Sequence, residues 1–118
     1  MGIKALEGFS KYWYTPLGQD NDEDKTKFYL KPFNSEQLDY VLEGATYNDQ
    51  GDLISLSPKG VKYGLKQGLR DWENFCDSTG EIKFKQSEFY RLPYQIRQGI
   101  VLDLVTKSIV SEDAEKNS

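Results

Sequence analysis

Pro93 separates two incompatible rhythms of apolar residues, and that break limits the folds open to this chain. Before it, Trp72, Asn74 and Cys76 alternate with Glu73 and Phe75. Ile82 and Phe84 alternate with Glu81, Lys83 and Lys85. A period of two suits strands, and Asp77-Ser78-Thr79-Gly80 between the two runs has Asp first and Gly fourth, as a tight turn prefers. The stretch from about Asp71 to Lys85 therefore predicts a β-hairpin, with Cys76 a small, half-buried strand residue. After Pro93, Ile96, Ile100 and Leu104 recur at helical spacing, and Val101, Leu102, Val105 and Ile109 widen the apolar face. This predicts a helix from Pro93 to about Val110, packed through Ile96, Ile100 and Leu104. The fold class expected is α+β: a small single domain of several helices packed with a short antiparallel β-hairpin or sheet.

The remaining elements fit that class. Phe28 and Leu30 alternate with Lys27, Tyr29 and Lys31 up to Pro32, which predicts a short strand whose charged outer face suits a sheet edge. A helix follows, capped by Asn34 or Ser35, with Gln37 as capping-box partner and Gly44 as its stop. Leu38, Val41, Leu42 and Ala45 form its apolar stripe. After the turn at Tyr47 to Asp52, the run from Leu53 predicts a strand, and Ser57-Pro58 predicts a second helix start. There Val61, Leu65 and Leu69 share a face with Gly64 and Gly68, a pattern that admits close approach by a neighbouring element. Ser87 is expected to cap a short turn through Phe89 and Tyr90. Gly18 to Thr26 reads as an exposed or disordered loop, and the closing Ser-Glu-Asp-Ala-Glu-Lys-Asn-Ser as a fraying tail. At 118 residues the chain fits one domain. It divides into a variable N-terminal segment with an acidic loop (1–27), a folded domain (28–110) and a flexible tail (111–118).

Composition narrows function mainly by exclusion. The chain has no histidine, so Ser-His and Cys-His nucleophile pairs are absent, as is the usual general base near neutral pH. Cys76 is the only cysteine, which rules out an intrachain disulfide or a CxxC pair, and its neighbours Glu73 and Asp77 disfavour a thiolate. Carboxylate-pair glycoside hydrolysis needs no histidine, but a chain this short has little material for the cleft. Two turns resemble calcium loops, yet Phe75 and Thr46 stand where acidic ligands would precede Gly80 and Gly51. No enzyme activity, cofactor or metal is expected.

A formal net charge of −4 disfavours nucleic acid. Lys25, Lys27 and Lys31 lie among aromatics, but Asp20, Asp22, Glu23 and Asp24 lie beside them. No apolar run approaches the roughly 18 residues a membrane span requires, and no signal-peptide pattern opens the chain. The expected compartment is the cytoplasm.

Aromatics make up 14% of the residues, more than a core of this size needs, so some are expected at an interface. The candidates for partner binding or self-association are Trp13, Tyr14, Phe33, Trp72, Phe75, Phe89 and Tyr90, with Val101, Val105 and Ile109 on the last helix.

The order of these features resembles the tail assembly chaperones of long-tailed bacteriophages and prophages. The resemblance rests on a glycine-bearing aliphatic helix leading into Gly68-Leu69-Arg70-Asp71-Trp72-Glu73-Asn74, then Asp77 to Gly80, the apolar-Lys-Phe run, Leu92-Pro93, the apolar helix and the closing Ser111 to Asn117. The Phe28 to Phe33 strand and the short amphipathic helix after it look like the start of such proteins. It covers Phe28 to Asn117; residues 1–27 lie outside it.

The resemblance implies a non-enzymatic morphogenetic protein, acting in the cytoplasm of the bacterial host and missing from the mature virion. Such a protein binds and solubilises the apolar, helical tape-measure protein, forms homo-oligomers, and recruits tail tube subunits through an extended form. The extension arises by a programmed minus-one frameshift, and the Lys116-Asn117 pair permits the slippery heptanucleotide A-AAA-AAC. The alternative reading is a small cytoplasmic protein-interaction domain, adaptor or inhibitor, of unrelated purpose.

Overall fold

The structure is a computed structural model that describes residues 10–16 and 25–117. In chain order the elements are β1 (Tyr12–Tyr14), β2 (Lys27–Leu30), α1 (Ser35–Leu42), β3 (Thr46–Tyr47), β4 (Leu53–Ser55), α2 (Pro58–Gly68), β5 (Leu69–Glu73), β6 (Cys76–Asp77), β7 (Gly80–Glu81), a 3-10 helix (Gln86–Arg91) and α3 (Tyr94–Asn117). This is the α+β class read from the sequence. The loop expected at Gly18 to Thr26 falls, as far as Asp24, outside the described residues. The backbone of α3 continues helical past Val110.

β1, β2 and β5 form an antiparallel sheet in that order. The register places Trp13 opposite Tyr29 and Tyr29 opposite Asp71, while Tyr14 and Trp72 flank Phe28. Residues one apart point to opposite faces. Phe28, Leu30 and Trp72 are therefore in the core, and Trp13 and Tyr29 lie on the other face. The Lys27–Leu30 strand is central, which corrects its reading as an edge. Its charged alternate residues lie on an open sheet face, a situation that gives the same polar pattern as an edge.

The expected hairpin is also corrected. β5 pairs with β2, and Ile82 to Phe84 belong to no strand. The break is at Asn74, whose φ of +58° lies in the left-handed region that Asn tolerates better than most residues. The kinked residue is tied in place: its amide N–H donates to Glu81 Oε1, its Nδ2 donates to the Lys25 carbonyl, and its own carbonyl accepts from Thr26 Oγ1. Only the tip survives as a hairpin, β6 against β7. The kink resets the alternation, so Cys76 is exposed rather than half-buried. Ile82 and Phe84 still fold back: Trp72 Nε1 donates to the Ile82 carbonyl at 2.7 Å, and the indole meets Phe75 and Phe84 edge-on.

The helix starts follow their caps. Asn34 and Gln37 form a reciprocal capping box on α1, and Ser57 Oγ accepts from the Gly60 amide with Pro58 in the first turn of α2. Gly44 ends the α1 region at φ +76°. Ser87 does not cap its turn; Lys85 holds that position without a side-chain bond. The glycine face of α2 meets α3 closely. A β-carbon at Gly64 would lie 2.6 Å from Val101 Cγ1, and one at Gly68 would lie 2.4 Å from Leu104 Cδ1. Ile100, Val101, Leu104 and Val105 are buried there with Phe33, Leu65 and Leu69. Each such side chain contributes about 1.5–3 kcal/mol by leaving water.

Candidate docking surfaces

The ten residues singled out from sequence separate sharply by burial. Phe33, Trp72, Phe89, Val101 and Val105 are core residues, which corrects their placement at an interface. Helical and strand periodicity identifies a residue as apolar-faced without saying whether that face meets the chain's own core. Tyr14 and Phe75 are half-buried against the core. Trp13, Tyr90 and Ile109 remain exposed.

Tyr12 and Tyr14 anchor β1 to α3. Tyr12 donates to Asp103 Oδ2 at 2.6 Å, and Lys107 lies over the Tyr12 ring. Burial first, and then the bond to the Asp103 carboxylate, push the Tyr12 hydroxyl well above its usual range; burial and Asp103 raise Tyr14 as well. The phenols stay neutral; Tyr12 serves as a fixed donor, and both rings serve as apolar bodies.

Asp77 is consumed by its own turn. Its Oδ1 accepts from the Thr79 hydroxyl and amide at 2.6 and 2.8 Å, and its Oδ2 accepts from Arg91 at 2.6 Å. The Thr79 hydroxyl bond, then Arg91, hold this carboxyl far below the ordinary carboxylate range. Among the described residues no group of three or more His, Cys, Asp or Glu is placed to hold a metal ion.

Among the described residues the exposed aromatic surface lies in three places. On the open sheet face Trp13 packs on Tyr29 at 4.8 Å between centroids. A second group lies between the end of α1 and the start of α2. There Tyr40 and Tyr63, 5.2 Å apart, line a groove of about 520 Å³ with Glu43, Gly44, Ser57 and Lys59. Gly44 and Ser57 bracket the β3–β4 hairpin in sequence, and that hairpin carries the exposed Tyr47 and Ile54. The third group is Tyr90 and Tyr94 around Arg97, where the 3-10 helix meets α3.

Sequence reading missed the groove. Tyr40 and Tyr63 sit on the polar side of their helical stripes, and residues 23 apart become neighbours only when α1 packs on α2. The signal available was a tyrosine off the apolar stripe of each helix.

No family of known proteins, no curated protein and no solved structure matches the chain. Among the described residues, no helix is long and apolar enough to cross a membrane.

Proposed function

We propose that the protein is a chaperone of bacteriophage tail morphogenesis that binds and solubilises the tape-measure protein in the host cytoplasm and does not remain in the mature virion. The reading rests on the sequence resemblance, and the observation that supports it is the tyrosine-walled groove whose Gly44 and Ser57 are joined by the hairpin carrying the exposed Tyr47 and Ile54. A tape measure is a long helix with apolar side chains along it. Tyrosines suit such a partner: each ring gives broad apolar contact at little conformational cost and keeps a wet hydroxyl. Glu43 and Lys59 at the groove supply polar ends that set orientation. The acidic body, at −4, keeps the chaperone soluble while the apolar contact is made. Copies of the chain associate along the tape measure, and an extended form recruits tail tube subunits.

The test is co-expression with a tape-measure protein encoded in the same genome, followed by gel filtration of the soluble fraction. The expected result is a soluble complex that is lost when Tyr40→Ala and Tyr63→Ala are combined, with the variant still folded by circular dichroism. A tape-measure protein that aggregates equally with and without the chain overturns the reading. Capture of one small folded partner at the same groove, with no effect on a tape measure, establishes the adaptor alternative, which a discrete pocket also suits.

A further inference from the structure

We propose that Tyr90, Tyr94 and Arg97, where the 3-10 helix meets α3, form a binding site for a carboxylate carried on an acidic segment of a partner protein. The Arg97 guanidinium lies over both rings, 5.7 Å from the Tyr90 centroid and 5.2 Å from that of Tyr94. Both tyrosines are exposed, at 54% and 44%. Among the described residues the Arg97 guanidinium makes no hydrogen bond or ion pair, and its Nε is buried without an acceptor.

Arg91 supplies the contrast. It is close in sequence and fully engaged, with Asp77 at 2.6 Å and Glu88 at 3.5 Å. Those two carboxylates are committed to Arg91, and the first turn of α3 contains no acidic residue to take up Arg97 or the positive end of the helix. The tyrosine faces hold a cation by attraction to their π systems, but they offer its N–H groups no in-plane acceptor. What the guanidinium lacks is a pair of oxygens, and a carboxylate presents two at the spacing of the guanidinium fork. Because two rings already restrain the side chain, little rotamer freedom is left to lose on binding.

The same anion chemistry occurs in phosphate, but a single stacked arginine on a chain of net charge −4 lacks the basic stripe that a polyanion requires. Apolar neighbours of an acidic residue would also cover the exposed rings, which favours a protein segment. The inference does not rest on the tail-assembly reading and holds for any partner with such a segment.

The probe is an acetylated, amidated hexapeptide of alternating Glu and Leu, titrated into the full-length isotope-labelled protein and followed by NMR. The largest shifts are expected at the Arg97 Nε–Hε signal and the Tyr90 and Tyr94 resonances. Replacing Glu by Gln in the peptide should weaken binding at least fivefold. Arg97→Met should do the same, and Arg97→Lys, which keeps the charge and loses the fork, should restore only part of the affinity. Tyr94→Ala, at an exposed position, gives an independent reading and should weaken binding at least threefold. The proposal is overturned if the peptide shifts residues elsewhere, if the Gln peptide binds equally well, or if inorganic phosphate occupies these residues while the peptide does not.

Discussion

Gly60 of α2 packs onto the carbonyl oxygen of Val41 in α1 so closely that a β-carbon at position 60 would stand 2.4 Å from it. A backbone oxygen inside a helix cannot step aside, so the contact decides how near the two helices approach. Gly60→Ala is expected to destabilise the fold by about 1–3 kcal/mol through overpacking, outweighing the helix propensity gained, which is at most about 1 kcal/mol. Gly99 in α3 is the opposite case, because its β-carbon would meet only the Tyr14 hydroxyl at an ordinary 3.5 Å. Gly99→Ala should raise stability by about 0.5–1 kcal/mol. Urea melts of the two variants check both signs.

Ser108 is 1% exposed in the middle of α3, accepting from the Phe33 amide at 2.8 Å and donating to the Leu104 carbonyl at 2.6 Å. It is the acceptor for a buried amide just outside the sheet. Ser108→Ala should leave that amide unpaired and cost about 1–3 kcal/mol. Amide hydrogen exchange at Phe33 should quicken in the variant before global unfolding does.

The alkaline limit of stability should lie with Tyr12 and Tyr14. Their folded pKa values are raised by burial and by Asp103. Below pH of about 10, the ordinary tyrosine value, both folded and unfolded chains keep the protons. Above it the unfolded chain releases protons that the fold retains, so unfolding gains and stability falls as pH rises. Thermal melts between neutral pH and pH of about 11 should show this decline, and Tyr12→Phe should reduce its slope. At neutral pH the same variant should lose about 1.5–3 kcal/mol, the usual contribution of a hydrogen bond to a charged group.

Association between copies, if it follows the exposed Trp13, Ile54 and Ile109, should be weak and insensitive to salt. Sedimentation equilibrium should give a mass that rises with protein concentration and changes little between about 0.1 M and about 1 M salt, over which the screening length falls from roughly 10 to 3 Å. A constant monomer mass at high concentration would count against an apolar self-contact.

The sequence by itself determined the local elements. The capping box at Asn34 and Gln37, the Ser57-Pro58 start, the stop at Gly44 and the Asp77 to Gly80 turn all depend on atoms within a few residues of one another, and they appear as read. The glycine face of α2 admits a close neighbour without requiring one, and the structure supplies it in Val101 and Leu104 of α3.

Tertiary structure alone decided three things: which strand pairs with which, which apolar residues stay outside, and which side chains meet. A strand's alternation is the same at an edge and at the centre of a one-sided sheet, so only the pairing with β1 and β5 makes β2 central. Asn74 ends β5 through bonds to Lys25, Thr26 and Glu81, and the first two are residues far away in the chain. Phe33 and Tyr40 are both aromatic in sequence, yet one is enclosed by α2 and α3 and the other stays exposed beside Tyr63. Short-range hydrogen bonding writes itself into neighbouring letters, whereas burial depends on packing between segments that the order of residues does not place together.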